Sequence, residues 1–151
     1  MNNEKTITVT RKNEKGKPEP VNVRMRYCAA TETGFTSISG KDASVFSARQ
    51  LYNDKGEKDG IAPPEATTED YITLALAAIV AAYARTGDTA PITSDDILYD
   101  LPPADIQLLI TTVVELRLEW YRVPEGIKQD TTEKKGGKKN AYPPTMSTST
   151  S

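Results

Sequence analysis

Two runs of alternating residues open the chain. Thr6, Ile7, Thr8, Val9 and Thr10 alternate and are largely β-branched, and Val21, Val23, Met25 and Tyr27 fall on one side of a second run, so both read as strands. Between them residues 12–20 carry Gly16, Pro18 and Pro20 among charges, the composition of a turn. The two strands form a hairpin whose apolar side needs a partner, because isolated hairpins are marginal in water.

The period then changes. Residues 29–34 read as a single helical turn ended by Gly34, with Phe35, Ile38 and Phe46 the next large apolar side chains. Residues 49–65 are polar, with two glycines and two prolines, and read as a long surface loop. From about residue 68 to 85 a helix is expected. Thr67 or Thr68 caps it, Glu69 and Asp70 suit its N-terminus, Ile72, Leu76, Ile79, Val80 and Tyr83 form its stripe, alanines fill the rest, and Gly87 stops it. Residues 94–99 form a short capped helix. A second long helix follows over about 103–122. Pro102 and Pro103 precede it, Asp100 or Asp105 can cap it, Ile106, Leu109, Ile110, Val113, Leu116 and Trp120 recur along one face, and Pro124 ends it. The link between the long helices is short, so they run roughly antiparallel. The fold class is α+β: an N-terminal hairpin packed on a small helical bundle, as one domain over 1–127. Residues 128–151, with Lys134, Lys135, Lys138 and Lys139 among Gly, Ser and Thr, are expected to be a disordered tail.

Composition narrows the chemistry. With no histidine and only Cys28, most metal sites, His-based acid–base chemistry, Cys/His nucleophiles and internal disulfides drop out. Cys28 reads as a small buried hydrophobe. Asp95, Asp96, Asp100 and Asp105 cluster, but in no calcium-loop spacing, and read as caps. The expectation is a non-enzyme without catalytic residues, metal or cofactor. No signal peptide or membrane span is visible. Charge is uneven: residues 1–65 hold 11 Lys/Arg and 9 Asp/Glu (+2), residues 66–127 hold 3 and 10 (−7), and residues 128–151 hold 5 and 2 (+3). An acidic helical half argues against nucleic acid as a partner. Trp120, the single tryptophan, is open to two readings. It is a core anchor by its area, or an interface hot spot by its residue type and its neighbours Tyr121 and Arg122.

The order of small motifs carries a resemblance. The N-terminal β segment leads to Glu32-Thr33-Gly34-Phe35, then to the helix beginning Tyr71-Ile72-Thr73-Leu74, then to Pro91-Ile92-Thr93-Ser94-Asp95-Asp96-Ile97. The last helix ends Glu119-Trp120-Tyr121-Arg122-Val123-Pro124. Over residues 5–127 this resembles the tail assembly chaperones of long-tailed bacteriophages and prophages, although the 49–65 segment is longer than expected for that family. The resemblance implies a non-enzymatic protein of the host cytoplasm. It would bind the tape measure protein, help recruit tail tube protein, and be absent from the mature virion. The partner would be an amphipathic helix laid on an apolar face, for which Tyr71, Leu74, Tyr83, Ile110, Leu116, Trp120 and Tyr121 are the candidates. An unpaired hairpin edge or the outer part of the helix stripes gives a route to homo-oligomers. Rival expectations are a structural neck or tail-completion protein retained in the virion and a bacterial protein-binding adaptor domain.

Overall fold

A computed structural model describes residues 3–122, so the expectations for the tail lie outside the described residues. Strands β1 (Glu4–Lys12) and β2 (Pro18–Arg26) form the first hairpin, with Ile7 opposite Val23 and Val9 opposite Val21. The alternation works as expected: Val9, Val23, Met25 and Tyr27 are buried, and the residues between them are not. Helix α1 (Ala29–Ser39) follows, then a single 3-10 turn (Ala43–Phe46), strands β3 (Arg49–Tyr52) and β4 (Lys58–Ala62), helix α2 (Thr68–Thr86), a wide helical turn (Asp96–Asp100) and helix α3 (Pro103–Tyr121). This is the α+β arrangement of a hairpin followed by helices.

Three local expectations are corrected. Helix α1 does not stop at Gly34. It runs three turns to Gly40, whose φ of 75° ends it in the left-handed region. Gly34 serves packing instead: a Cβ there would already meet Ala77 Cβ at 3.4 Å, so α1 and α2 approach where both side chains are minimal. Residues 49–65 are not a plain loop. They form a second antiparallel hairpin, pairing Arg49 with Ala62 and Gln50 with Ile61, with a bulge before Tyr52. Its turn repeats the first one. Asn13 Oδ1 accepts from the Lys15 and Lys17 amides at 2.9 and 3.0 Å, and Asn53 Oδ1 accepts from those of Lys55 and Glu57 at 2.9 and 3.0 Å. Gly16 and Gly56 close the two turns at φ 77° and 78°, a conformation glycine adopts without steric cost. Cys28 is not a core residue; it is half-buried at the N-cap of α1.

Helix α2 is the centre of the domain. Leu74, Ala75, Ala77, Ala78, Ile79, Ala81, Ala82 and Tyr83 are all buried, so the helix is covered on more than one stripe, as expected for an element packed between others. The expected stripe is therefore displaced: Val80 lies outside with 52% of its surface exposed, while Leu74 and the alanines lie inside. The start of α2 is held by a reciprocal cap. The Asp70 amide donates to Thr67 Oγ1 at 3.1 Å, and the Thr67 amide donates to Asp70 Oδ2 at 2.9 Å. The Lys41 ammonium reaches both Asp70 oxygens at 3.1 Å, tying α2 to the end of α1. Helices α2 and α3 run antiparallel. Arg117, late in α3, lies over Phe46 (5.9 Å), which packs on Tyr71 at the start of α2 (5.0 Å). At the other end Asp105 Oδ2 accepts from the Thr10 amide at 2.7 Å, and Arg11 donates to the Pro91 carbonyl just past α2. No helix among the described residues is long and apolar enough to cross a membrane.

The bond from the Thr67 amide, with burial opposing it and Lys41 adding to it, holds the Asp70 carboxyl below its usual range. A depressed carboxyl contributes stability that is fully present above its unfolded value near pH 4 and is lost as pH falls further. Asp70→Ala should cost about 1–3 kcal/mol at neutral pH, measured by urea unfolding, and should flatten the acid limb of the stability profile.

Candidate interaction surface at the C-terminal end of α3

The core side of α3 is made by Leu109, Thr112, Val113 and Leu116. On a 3.6-residue helix this leaves Ile110, Val114, Leu118 and Tyr121 on a separate line, spaced four, four and three residues apart. Ile110 and Val114 are half-buried, while Leu118 and Tyr121 are 63% and 54% exposed. Glu115, three residues before Leu118, is engaged by Lys5 of β1 at 2.8 Å. Trp120 shares the angular position of the core residues but lies one turn past them and is 37% exposed. Its core-anchor reading is thus corrected: the largest side chain of the protein is at the edge of the core, not in it.

Of the candidate face drawn from sequence, Ile110 and Tyr121 fall on this line, and Trp120 stands beside Tyr121 on the core side of the last turn. Leu74 and Leu116 are fully buried and Tyr83 is nearly so, which removes them from any surface. Tyr83 has an internal role, its hydroxyl accepting from the Arg24 amide at 3.1 Å and its ring lying under the Arg24 guanidinium at 4.3 Å. Tyr71 packs on Phe46 and the core. Leu118 and Val114 were missed, although they stand four residues apart, outside the stripe that the core required, and that spacing was readable.

The end of the line is built from polar groups. Glu32 Oε2 accepts from the Tyr27 hydroxyl at 2.7 Å and from the Tyr121 hydroxyl at 2.6 Å. One carboxylate oxygen therefore ties the end of β2, helix α1 and the last turn of α3. The Arg117 guanidinium lies 4.9 Å from the Tyr121 ring centroid and donates to Ser47 Oγ at 2.8 Å. Asp42 Oδ1 accepts from the Ser44 amide at 2.8 Å and caps the 3-10 turn. Glu32, Asp42, Ser44, Ser47, Arg117 and Tyr121 line a cleft of about 480 Å³. The β3–β4 hairpin springs from the same place, two residues after Ser47. Its strands are exposed throughout apart from Ala62, leaving Leu51, Tyr52 and Ile61 in solvent.

Other clusters are explained by the fold. Asp96 accepts from the Thr93 amide at 2.8 Å, and Asp105 is taken by Thr10, so two members of the acidic group are structural, and Thr93 Oγ1 accepts from the Asp96 amide at 3.3 Å at the start of the short helix. A larger cleft of about 640 Å³ beside the first hairpin turn has its charges matched internally, with Arg11 3.3 Å from Glu19 and 3.7 Å from Asp96.

Comparison with known protein families, curated proteins and solved structures finds no match to this chain.

Two results should follow from this geometry. Leu116→Ala removes a fully buried side chain and should cost about 2–5 kcal/mol, whereas Leu118→Ala, one half-turn away, should stay within about 0.5 kcal/mol; chemical denaturation of the pair measures the difference. Burial and then the Glu32 bond raise the Tyr27 hydroxyl above its ordinary value. A raised group contributes stability that is complete below its unfolded pKa near 10 and falls as pH rises beyond it. Unfolding free energy should drop above about pH 10, and Tyr27→Phe should reduce that slope.

Proposed function

We propose that this protein is a non-enzymatic binding protein acting as a tail assembly chaperone of a long-tailed phage or prophage, working in the bacterial cytoplasm on a tape measure protein and assisting tail tube assembly. The observation that carries the reading is the apolar line on α3 that ends in the exposed Leu118 and Tyr121, with Trp120 part-exposed beside it on the last turn. Exposed apolar residues aligned along one helix suit a partner helix, and a long amphipathic helical protein needs such a face to stay soluble before assembly. The pattern of motifs along the chain supports the same reading. The domain supplies a rigid platform, because the core side of the same helix is fixed by Leu109, Val113 and Leu116.

One alternative has an observation of its own. The β3–β4 hairpin projects with both faces open, a form that suits joining subunits in a particle. It favours a structural neck or tail-completion protein retained in the virion.

Co-expression with the long helical protein encoded beside it tests the proposal. Wild-type protein should co-purify with that partner. Leu118→Glu should lose it while keeping its helical circular dichroism and its unfolding midpoint. Retention of the partner by a folded Leu118→Glu variant, or recovery of the protein from purified virions, would count against a chaperone.

A further inference from the structure

Resting on that reading, we infer that the α3 line and the cleft at its end form one seat, and that its occupant is an amphipathic helix with a basic side chain placed to enter the cleft.

The line sets the length. From Ile110 to Tyr121 the rise is roughly 16 Å, about three helical turns, so a partner helix meets four α3 side chains before it reaches the cleft. The cleft sets the charge. Its ionisable lining is Glu32 and Asp42 against Arg117. Arg117 donates to Ser47 and lies between the Tyr121 and Phe46 rings, with its buried Nε left without a partner among the described residues. Both tyrosine hydroxyls go to Glu32 Oε2, and the Ser44 amide goes to Asp42 Oδ1. Glu32 Oε1 then accepts no bond from the described residues, while Asp42 is held by Ser44 through both its amide and its side chain. A carboxylate with an open oxygen, close to a second carboxylate and an aromatic ring, recognises a lysine or arginine. Asp42 stays ionised, since the Ser44 amide lowers its carboxyl below the usual range.

The local balance agrees. Two carboxylates, Glu32 and Asp42, face one guanidinium, Arg117, in the lining of the cleft, an excess that favours a basic group over an acidic one. The same balance argues against a second copy on this face. Two copies related by a two-fold axis would offer each other's cleft no basic group beyond Arg117 among the residues that line it.

The experiment uses the full chain and its single tryptophan as reporter. Trp120 adjoins Tyr121, so binding of tryptophan-free peptides changes its emission. Three helical peptides share one apolar stripe and differ only at the anchor position: arginine, its neutral isostere citrulline, or glutamate. The arginine peptide should bind roughly three- to tenfold more tightly than the citrulline peptide, and the glutamate peptide most weakly. Asp42→Asn keeps a capping oxygen and removes only the charge. It should shrink the arginine advantage, as should raised salt, without weakening the citrulline peptide. Equal affinity of the arginine and citrulline peptides would overturn the inference and leave the chaperone reading standing. Binding of no peptide would overturn it too, with co-purification then deciding the chaperone reading separately. A concentration-dependent dimer in sedimentation that Leu118→Glu abolishes would give the face to a second copy and also overturn it.

Discussion

The structure depends on close approach around α2. Helix α2 presents alanine at 75, 77, 78, 81 and 82 to its neighbours, and α1 answers with Gly34 against Ala77. Small side chains bury little area each, so the contact gains by bringing backbones together and by filling space without cavities. Among the larger residues, Leu74 and Ile79 are fully buried and Tyr83 reaches the hairpin at Arg24. This geometry leaves little room for change at the centre. Bulk added at Ala77 would push α1 away and open the aromatic group of Phe35, Phe46 and Tyr71, whose rings stand 4.8 and 5.0 Å apart.

Fixing α2 also decides what α3 can be. Helix α3 carries more large aliphatic residues than α2, and by periodicity alone it looks like the organising element. In the fold it lies on the outside, buried along one stripe and open on another. Its position is set at both ends by polar ties rather than by burial alone: Asp105 to the Thr10 amide at the start and Tyr121 to Glu32 at the end. These ties orient the second stripe outward. A helix held only by apolar packing could rotate to bury Leu118 and Tyr121. One pinned at both ends cannot do so without losing a charge-assisted hydrogen bond.

Much of the fold was legible where local rules dominate. The first hairpin, the Thr67 cap, both long helices and their antiparallel order follow from alternation, capping residues and a short link. What was not legible turned on tertiary choices. Whether Gly34 ends a helix or lets one pass close to another depends on Ala77, which lies 43 residues away. Which side of α2 faces inward depends on having neighbours on several sides, a case in which a single stripe has no meaning. The second hairpin is different, since its signal was in plain view. Asn-Asp-Lys-Gly at 53–56 repeats the chemistry of Asn-Glu-Lys-Gly at 13–16, but the short polar strands around it lack the alternation that marks β1 and β2. The candidate surface was partly legible. Tyr121 and Trp120 stood out by type. The cleft did not, because Glu32, Asp42, Ser47 and Arg117 meet only after α1, the 3-10 turn and α3 have packed.

Exposed apolar residues are common enough that one of them proves little. Here the distribution matters more than the number. The chain is only 37% hydrophobic, and its central helix is filled largely with alanine, so large aliphatic and aromatic side chains are a limited supply. Leu118, Trp120 and Tyr121 nonetheless gather at the end of one helix, beside a cleft whose hydrogen bonds position Tyr121 and beside the root of a projecting hairpin. A core short of bulk would gain most by taking those side chains inward. The polar ties from Glu32 and Arg117 work against that, holding the last turn of α3 where its side chains meet solvent. Of the three, Tyr121 is the one held by specific bonds, its hydroxyl to Glu32 and its ring against Arg117, and that pinning fixes the turn on which Leu118 and Trp120 stand.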